Sequence, residues 1–178
     1  RDIIAEKNTE GIDVDQVAKQ VGIGAVIFQE LSNNRIKDYV FDWDNVTNFD
    51  GETGPYVQYT HARACSVLRK ASRGDLEKLK DVQDLDFRYI TSESGYQLIK
   101  DLYRVPEVIM DAGEKYEPSI LTRHLVDIAQ SFNKFYHDEH ILVDDEKEKL
   151  AKLALVSASR TVIANCLGLL GIQAPERM

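Results

Sequence analysis

Apolar residues recur at helical spacing over most of the chain, and this periodicity constrains the fold more than any other feature. The clearest case is the segment 118–140, whose apolar residues are Ile120, Leu121, Leu125, Ile128, Ala129, Phe132 and Phe135. Steps of three and four residues place such side chains on one face of an α-helix. Similar patterns predict helices over 13–31, 55–72, 94–115 and 144–170. The sequence therefore predicts an all-α protein, a helical bundle.

Prolines and glycines indicate where these helices begin, break and end. Pro55 suits the start of a helix, because its missing N–H would have no intrahelical partner there. Pro106 should divide its segment into two helices or produce one kinked helix. Gly171 fits the C-terminal cap of the last helix. Gly22 and Gly24, inside the first helical pattern, indicate either a break or a close approach by another element.

Two polar stretches, 32–54 and 73–91, separate the first three helical patterns. We expect the first to be a connector with at most one short helix. Within the second, the sequence LDFRYI alternates as a β-strand would, but no partner strand is visible and an isolated strand is not stable. We therefore predict a loop leading into the next helix.

Charge and composition limit the classes of function. The formal net charge of -8 argues against a protein that holds nucleic acid by bulk charge, so any nucleic-acid site must be a local patch. No window approaches the ~18 consecutive apolar residues of a membrane-spanning helix. Cys65 and Cys166 each stand alone in an apolar helical pattern, which predicts buried, reduced thiols in a cytoplasmic protein. The chain starts without methionine or a signal peptide, which is typical of a piece of a longer protein.

A candidate local patch lies in the segment 61–73, which contains no acidic residue. Its basic residues are Arg63, Arg69, Lys70 and Arg73. Lysine and arginine side chains bind a phosphate backbone and release its counterions, so these four are candidate backbone contacts. The alternative is a solvated helix face whose bases pair with carboxylates elsewhere in the fold. The charge pattern alone leaves both interpretations open.

The sequence SFNKFYHDEH suggests a second candidate site. Phe132 and Phe135 belong to the apolar stripe, whereas Tyr136 and His140 should share a different face of the helix. Two flat rings one turn apart make a platform on which unpaired bases stack. The alternative is a pair of rings at the edge of the core with their polar ends in water.

Enzyme and metal signatures are weak or missing. His137 and His140 are three residues apart, whereas the helical zinc-protease pattern separates its histidines by four, and no further ligands follow at suitable spacing. The chain has no glycine-rich phosphate loop and no Gly-x-Ser-x-Gly elbow. We therefore expect neither a metal nor a catalytic residue in it.

Four stretches together carry a resemblance to a known family. They are GIGAV with LSNNRIKDYVFDWD, GETGPYVQYTHAR, EPSILTRHLVDIAQSFNKFYHDEHIL, and the closing LGLLGIQAPERM. In this order they resemble the C-terminal part of arginyl-tRNA synthetase. The resemblance implies that residues 53–178 form the anticodon-binding helical bundle of the DALR type. Residues 1–52 would then be the end of the region that carries the active site and contacts the tRNA stem.

The resemblance also implies a function. Members of this class I family join arginine to tRNA(Arg) with ATP and Mg, and their terminal bundle grips the anticodon stem and loop. We expect Tyr136, His140 and Met178 to contact anticodon bases, with a frayed terminus as the alternative for Met178. The expected partners are tRNA(Arg) and the N-terminal and catalytic domains of the same enzyme, but neither DNA nor a membrane.

The sequence lacks the His-x-Gly-His and Lys-Met-Ser-Lys type signatures with which class I synthetases bind ATP. We therefore expect no cofactor on this chain itself. Two other interpretations stay open. One is a protein-docking module that touches no RNA. The other is the equivalent domain of a related class I enzyme such as the cysteinyl one, against which GPYVQY and the PERM ending argue.

Overall fold

The computed structural model describes residues 13–34, 36–81, 83 and 85–178, and every regular element in this part of the chain is helical. The α-helices, in chain order, are α1 (Val14–Ser32), α2 (Trp43–Val46), α3 (Gly54–Lys70), α4 (Arg73–Lys78), α5 (Glu93–Tyr103), α6 (Val105–Glu114), α7 (Ser119–Asp138) and α8 (Glu146–Leu169). One 3-10 turn, Phe87–Tyr89, lies where the alternating LDFRYI sequence occurs. The all-α prediction is confirmed.

Polar side chains cap these helices where the sequence indicates their ends. Asp13 accepts a hydrogen bond from the backbone N–H of Gln16 at 3.1 Å, as expected of an N-cap. Thr53 caps α3 in the same way, which moves Pro55 from the predicted first position of the helix to the second. At the C-terminal end of α8, Gly171 has a φ of 73°, a conformation that favours glycine and closes the helix.

Helix α7 is the centre of the bundle, with α1, α3, α5, α6 and α8 packed around it. Its apolar stripe is buried, with Phe132 and Phe135 fully inaccessible to solvent. Helix α8 is long and apolar enough to cross a membrane by length and composition, but 56% of that apolar window is buried inside the bundle, as in a core helix. Cys65 and Cys166 are both buried and unbridged, as predicted.

Helices α1 and α3 cross at two glycines. A Cβ built on Gly54 would lie 2.9 Å from the carbonyl oxygen of Gly24, and a Cβ on Gly24 would lie 2.7 Å from Nε2 of Gln58. Only glycine permits backbones this close. The sequence predicted either a helix break or a close approach by another element at Gly22 and Gly24. Helix α1 runs through both glycines unbroken, so the close approach, at Gly24, is the correct alternative.

The last seven residues, 172–178, form a C-terminal tail that returns along α3. Three α3 side chains donate hydrogen bonds to its carbonyl oxygens: Gln58 Nε2 to Gln173 at 2.8 Å, His61 Nδ1 to Pro175 at 3.0 Å, and Arg69 Nη1 to Glu176 at 3.0 Å. Because a carbonyl oxygen only accepts, the proton of neutral His61 is on Nδ1. Met178 packs, partly buried, against Val17 and Val21 of α1. The end of the chain is therefore docked rather than frayed.

Candidate nucleic-acid interface

Arg63 lies between two tyrosine rings on the surface where α3 meets α7. Its guanidinium carbon is 4.9 Å from the ring centroid of Tyr59 and 5.2 Å from that of Tyr136. The guanidinium also donates a hydrogen bond to Oδ1 of Asn133. Cation–π attraction and this hydrogen bond together hold both rings in defined positions.

Helical spacing explains how the sequence assembles this group. Tyr59 and Arg63 are one turn apart on α3, and Asn133 and Tyr136 are one turn apart on α7. The amide of Asn133 donates to Oγ1 of Thr60 at 2.9 Å, which fixes the rotation of one helix against the other. The pairing of the two helices therefore sets the ring positions.

A further aromatic ring extends this surface across α3. The ring of Phe49, in the connector before α3, meets Tyr59 edge to face, with centroids 6.3 Å apart. Phe49 also packs against the same α1 residues, Val17 and Val21, that Met178 covers. We call Tyr136, Arg63, Tyr59 and Phe49 the aromatic strip; Met178 lies on the apolar cluster at its far end.

The structure separates the two rings that the sequence paired. Helix α7 ends at Asp138, and Glu139 has an extended backbone with φ -116° and ψ 132°. His140 therefore lies beyond the helix, and the predicted sharing of one helical face with Tyr136 is wrong. The partner of Tyr136 on its outer side is Arg63, while its inner side stacks on Phe132 with a centroid distance of 6.5 Å.

Tyr136 remains accessible for binding, because 38% of the residue is exposed. His140 has an exposed side chain, and its backbone carbonyl accepts a hydrogen bond from Lys152 at 3.0 Å. The two residues are thus neighbours at the end of α7 without forming one stacked platform.

The four predicted backbone contacts occupy different surroundings. Lys70 ends α3 and Arg73 begins α4, and both are exposed. Arg69 donates to the C-terminal tail, and Arg63 is held between the tyrosines. None of the four forms an ion pair with a carboxylate of the described residues, so the interpretation of a solvated face neutralised by acids is not supported in that part of the chain.

Lys152 of α8 anchors the end of α7. Its buried amino group lies 2.6 Å from Oε2 of Glu139 and 2.7 Å from Oε1 of Glu148, and it donates to the carbonyl of His140. Burial alone would lower the pKa of Lys152, but the two carboxylates outweigh burial and raise it. The hydrogen bond from Lys152 is in turn the main cause of the lowered pKa of Glu139.

The histidines near this helix end do not form a metal centre with their neighbours. His137 is exposed and contacts Asp138, with 3.4 Å between Nδ1 and Oδ1. Among the residues that the structure describes, no group of three or more His, Cys, Asp and Glu side chains is placed to hold a metal ion.

Comparison with known families gives this surface a context. The sequence profile of the DALR anticodon binding domain matches residues 57–178, which is most of the chain. The chain belongs to the DALR anticodon-binding family. Residues 1–43 of this DALR protein match a second profile, the catalytic domain of class I (R) tRNA synthetases.

Relatives and solved structures agree with this assignment. The arginine–tRNA ligase of Alkaliphilus metalliredigens is 52% identical over 177 residues, which is 99% of this chain and 30% of that protein. The arginine–tRNA ligase of Clostridioides difficile is 49% identical over 178 residues, which is 100% of this chain and 30% of that protein. The arginyl-tRNA synthetase structure of Thermus thermophilus superposes with a TM-score of 0.88 at 33% identity, over 99% of this chain and 30% of that one. The chain thus spans about 30% of the length of the relatives that it matches.

Sequence reasoning missed Tyr59, Phe49 and Asn133 as members of the surface. The spacing of Tyr59 and Arg63, one helical turn, was a usable signal. Phe49 and Asn133 join the group only through the packing of α3 against α1 and α7, which no local pattern reveals.

Proposed function

We propose that this chain recognises tRNA(Arg) as the anticodon-binding part of an arginine–tRNA ligase. The aromatic strip is the main support for this proposal, because it lies on the surface of a domain that belongs to an anticodon-binding family. In the proposed complex, unpaired anticodon bases stack on the strip at Tyr136, and His140 and Met178 contact bases at its two ends.

The charges of the strip suit this role. Arg63 places a positive charge between the two tyrosine rings, which hold its side chain in position. Guanidinium planes and tyrosine rings both stack on nucleic-acid bases, so all three groups suit base binding. Lys70 at the end of α3 and Arg73 at the start of α4 supply the proposed contacts to backbone phosphates. We assign Arg63 to organising the rings, in place of the phosphate contact expected from its charge.

The full activity that we propose is the ATP-dependent joining of arginine to tRNA(Arg) in the cytoplasm. ATP and Mg would bind to residues outside this chain, in the N-terminal and catalytic domains of the ligase. On its own the chain should therefore support no arginine-dependent ATP–pyrophosphate exchange.

Replacing Tyr136 by alanine tests the proposal. The probe is the anticodon stem-loop of tRNA(Arg), with a stem-loop of unrelated anticodon for comparison, titrated at two salt concentrations. Base–aromatic stacking contributes ~1–3 kcal/mol per base, so Tyr136→Ala should weaken cognate binding by roughly 5- to 150-fold. Tyr103→Ala is the matched control, because Tyr103 is 86% exposed on α5, away from the strip, and should bind as the unchanged chain does.

Other outcomes would oppose the proposal. Binding of Tyr136→Ala at full strength, together with a melting temperature lowered by many degrees, would show that the ring only packs against Phe132 and Arg63. Binding that is indifferent to both salt and RNA sequence would favour the protein-docking alternative. Charging of tRNA(Cys) by a ligase carrying this domain would favour the cysteinyl alternative.

A further inference from the structure

A cleft of about 390 Å³ opens between the C-terminal half of α3, α4 and the middle of α8. No residue of the aromatic strip lines it. Its charged lining comes from Arg69, Lys80, Arg160 and Glu176, and its walls also include Ser157, Cys65 and three leucines. The cleft is thus a basic surface distinct from the aromatic strip, although Arg69 is also one of the four predicted backbone contacts.

The two arginines form no ion pair in the described part of the chain, although the cleft also contains Glu176. Lys80 pairs with Glu77 at 2.7 Å, so its charge is already balanced. Arg160 is half-buried and forms neither a hydrogen bond nor an ion pair with any residue that the structure describes. Arg69 uses one N–H for the backbone carbonyl of Glu176, and a guanidinium carries five such donors.

The arginines approach the same point from two helices. Burial raises the pKa of the Cys65 thiol and the charge of Glu176 raises it further, whereas Arg160 and Arg69 both oppose the rise. Both guanidinium groups therefore lie within electrostatic reach of one side chain on the cleft wall. Glu176 also lines the cleft and its negative charge acts on the same thiol, but no ion pair joins it to either arginine among the described residues.

We propose that this cleft is a phosphate-binding site in which Arg160 and Arg69 hold one phosphate group. A half-buried guanidinium has lost part of its hydration, and an anion with oxygens at the spacing of its N–H groups restores those hydrogen bonds. Phosphate oxygens fit this fork in a bidentate geometry. The leucine walls suit the less polar remainder of a phosphate ester.

Two sources of phosphate fit this chemistry. One is a backbone phosphodiester of the RNA, which rests on the proposed function. The other is free phosphate or a small phosphomonoester, which does not. The test therefore has two arms, one with inorganic phosphate and one with the anticodon stem-loop of tRNA(Arg).

The first arm titrates the chain with sodium phosphate against sodium chloride of equal ionic strength and follows heat or melting temperature. Arg160→Gln should weaken phosphate binding by about tenfold or more, the effect of losing one charge-assisted hydrogen-bonding partner. Arg123→Gln on α7 is the matched control, because Arg123 is exposed and does not line the cleft. Arg160→Lys keeps the charge and the fold but loses the fork, so it should bind with intermediate affinity.

The second arm measures RNA affinity of the same variants against salt. If the phosphate belongs to RNA, Arg160→Gln weakens stem-loop binding and lowers the salt slope by about one phosphate contact, and free phosphate competes with RNA. If RNA binding is unchanged while phosphate binding is lost, the site takes a free phosphate. Equal phosphate affinity in the unchanged chain, Arg160→Gln and Arg123→Gln would overturn the site. Failure of the unchanged chain to bind RNA would count against the proposed function alone.

Discussion

Replacement of Lys152 by methionine should destabilise the bundle far more than the same replacement elsewhere on α8. Methionine keeps most of the side-chain volume and removes only the charge. The side chain of Lys152 is 6% exposed, and those of its partners Glu139 and Glu148 are 20% and 35% exposed. The variant therefore leaves one largely buried carboxylate and the carbonyl of His140 without their donor.

The magnitude follows from these exposures. Breaking a fully buried ion pair from one side costs about 3–5 kcal/mol, because a buried charge remains uncompensated. Without Lys152, water can solvate the carboxylate of Glu148 and part of that of Glu139, which reduces the cost. We therefore expect Lys152→Met to lower the free energy of unfolding by about 2–3 kcal/mol. For a chain of 178 residues this loss lowers the melting temperature by about 4–12 °C.

Denaturant unfolding of Lys152→Met and Lys147→Met provides the measurement. Lys147 is exposed on the same helix, and its replacement should change the free energy of unfolding by less than about 0.5 kcal/mol. A loss in Lys152→Met no larger than in the control would refute the reasoning.

The acid dependence of Lys152→Met provides a second check. The folded-state pKa of Glu139 lies below its ordinary value, so the folded chain binds fewer protons there and the stabilisation by Lys152 is present above about pH 4.5. This stabilisation is lost as pH falls through the lowered pKa. The difference between the unchanged chain and Lys152→Met should therefore shrink below pH 4.5. A difference that stays constant with pH would show that the charge is not the cause.

Two further predictions concern α1 and the tail. In denaturant unfolding, Gly24→Ala should destabilise the chain by about 1–3 kcal/mol, because the new Cβ would overlap Gln58. A Cβ at Gly22 has nothing within 4 Å, so Gly22→Ala should stabilise the chain by about 0.5–1 kcal/mol. Equal effects of the two substitutions would contradict the close approach of α1 and α3 at Gly24. Burial lowers the pKa of His61, so the unfolded chain binds the proton more readily and stability should fall as pH drops below about 6.5. His61→Gln should flatten that dependence between pH 7.5 and 5.5, and an unchanged profile would show that another group titrates.

The fold was predictable because its signals are local. Helical spacing identified the apolar stripe of α7, and the break before Val105 followed from Pro106. The N-cap role of Asp13 was also predictable, because it depends only on the neighbouring residues of α1. The position of His140 was not predictable from α7 alone. The helix ends before Glu139, which pairs with Lys152 on another helix, and no local pattern reveals this contact. The aromatic strip was predictable only in part. Helical spacing places each tyrosine next to one other member of the group, but the two pairs come together only because α3 packs on α7.

The acid-free sequence of α3 has a structural cause besides the proposed RNA binding. Three side chains on the face toward the C-terminal tail donate hydrogen bonds to carbonyl oxygens, and carbonyl oxygens only accept. Gln58, His61 and Arg69 can all donate, whereas an ionised carboxylate at any of these positions would face a carbonyl with no proton to share. The same helix carries Tyr59 and Arg63 on its neighbouring face. One helix therefore both builds the strip and, through the tail, sets the position of Met178 at its far end, so substitutions on the tail-facing side should disturb base recognition without touching the strip.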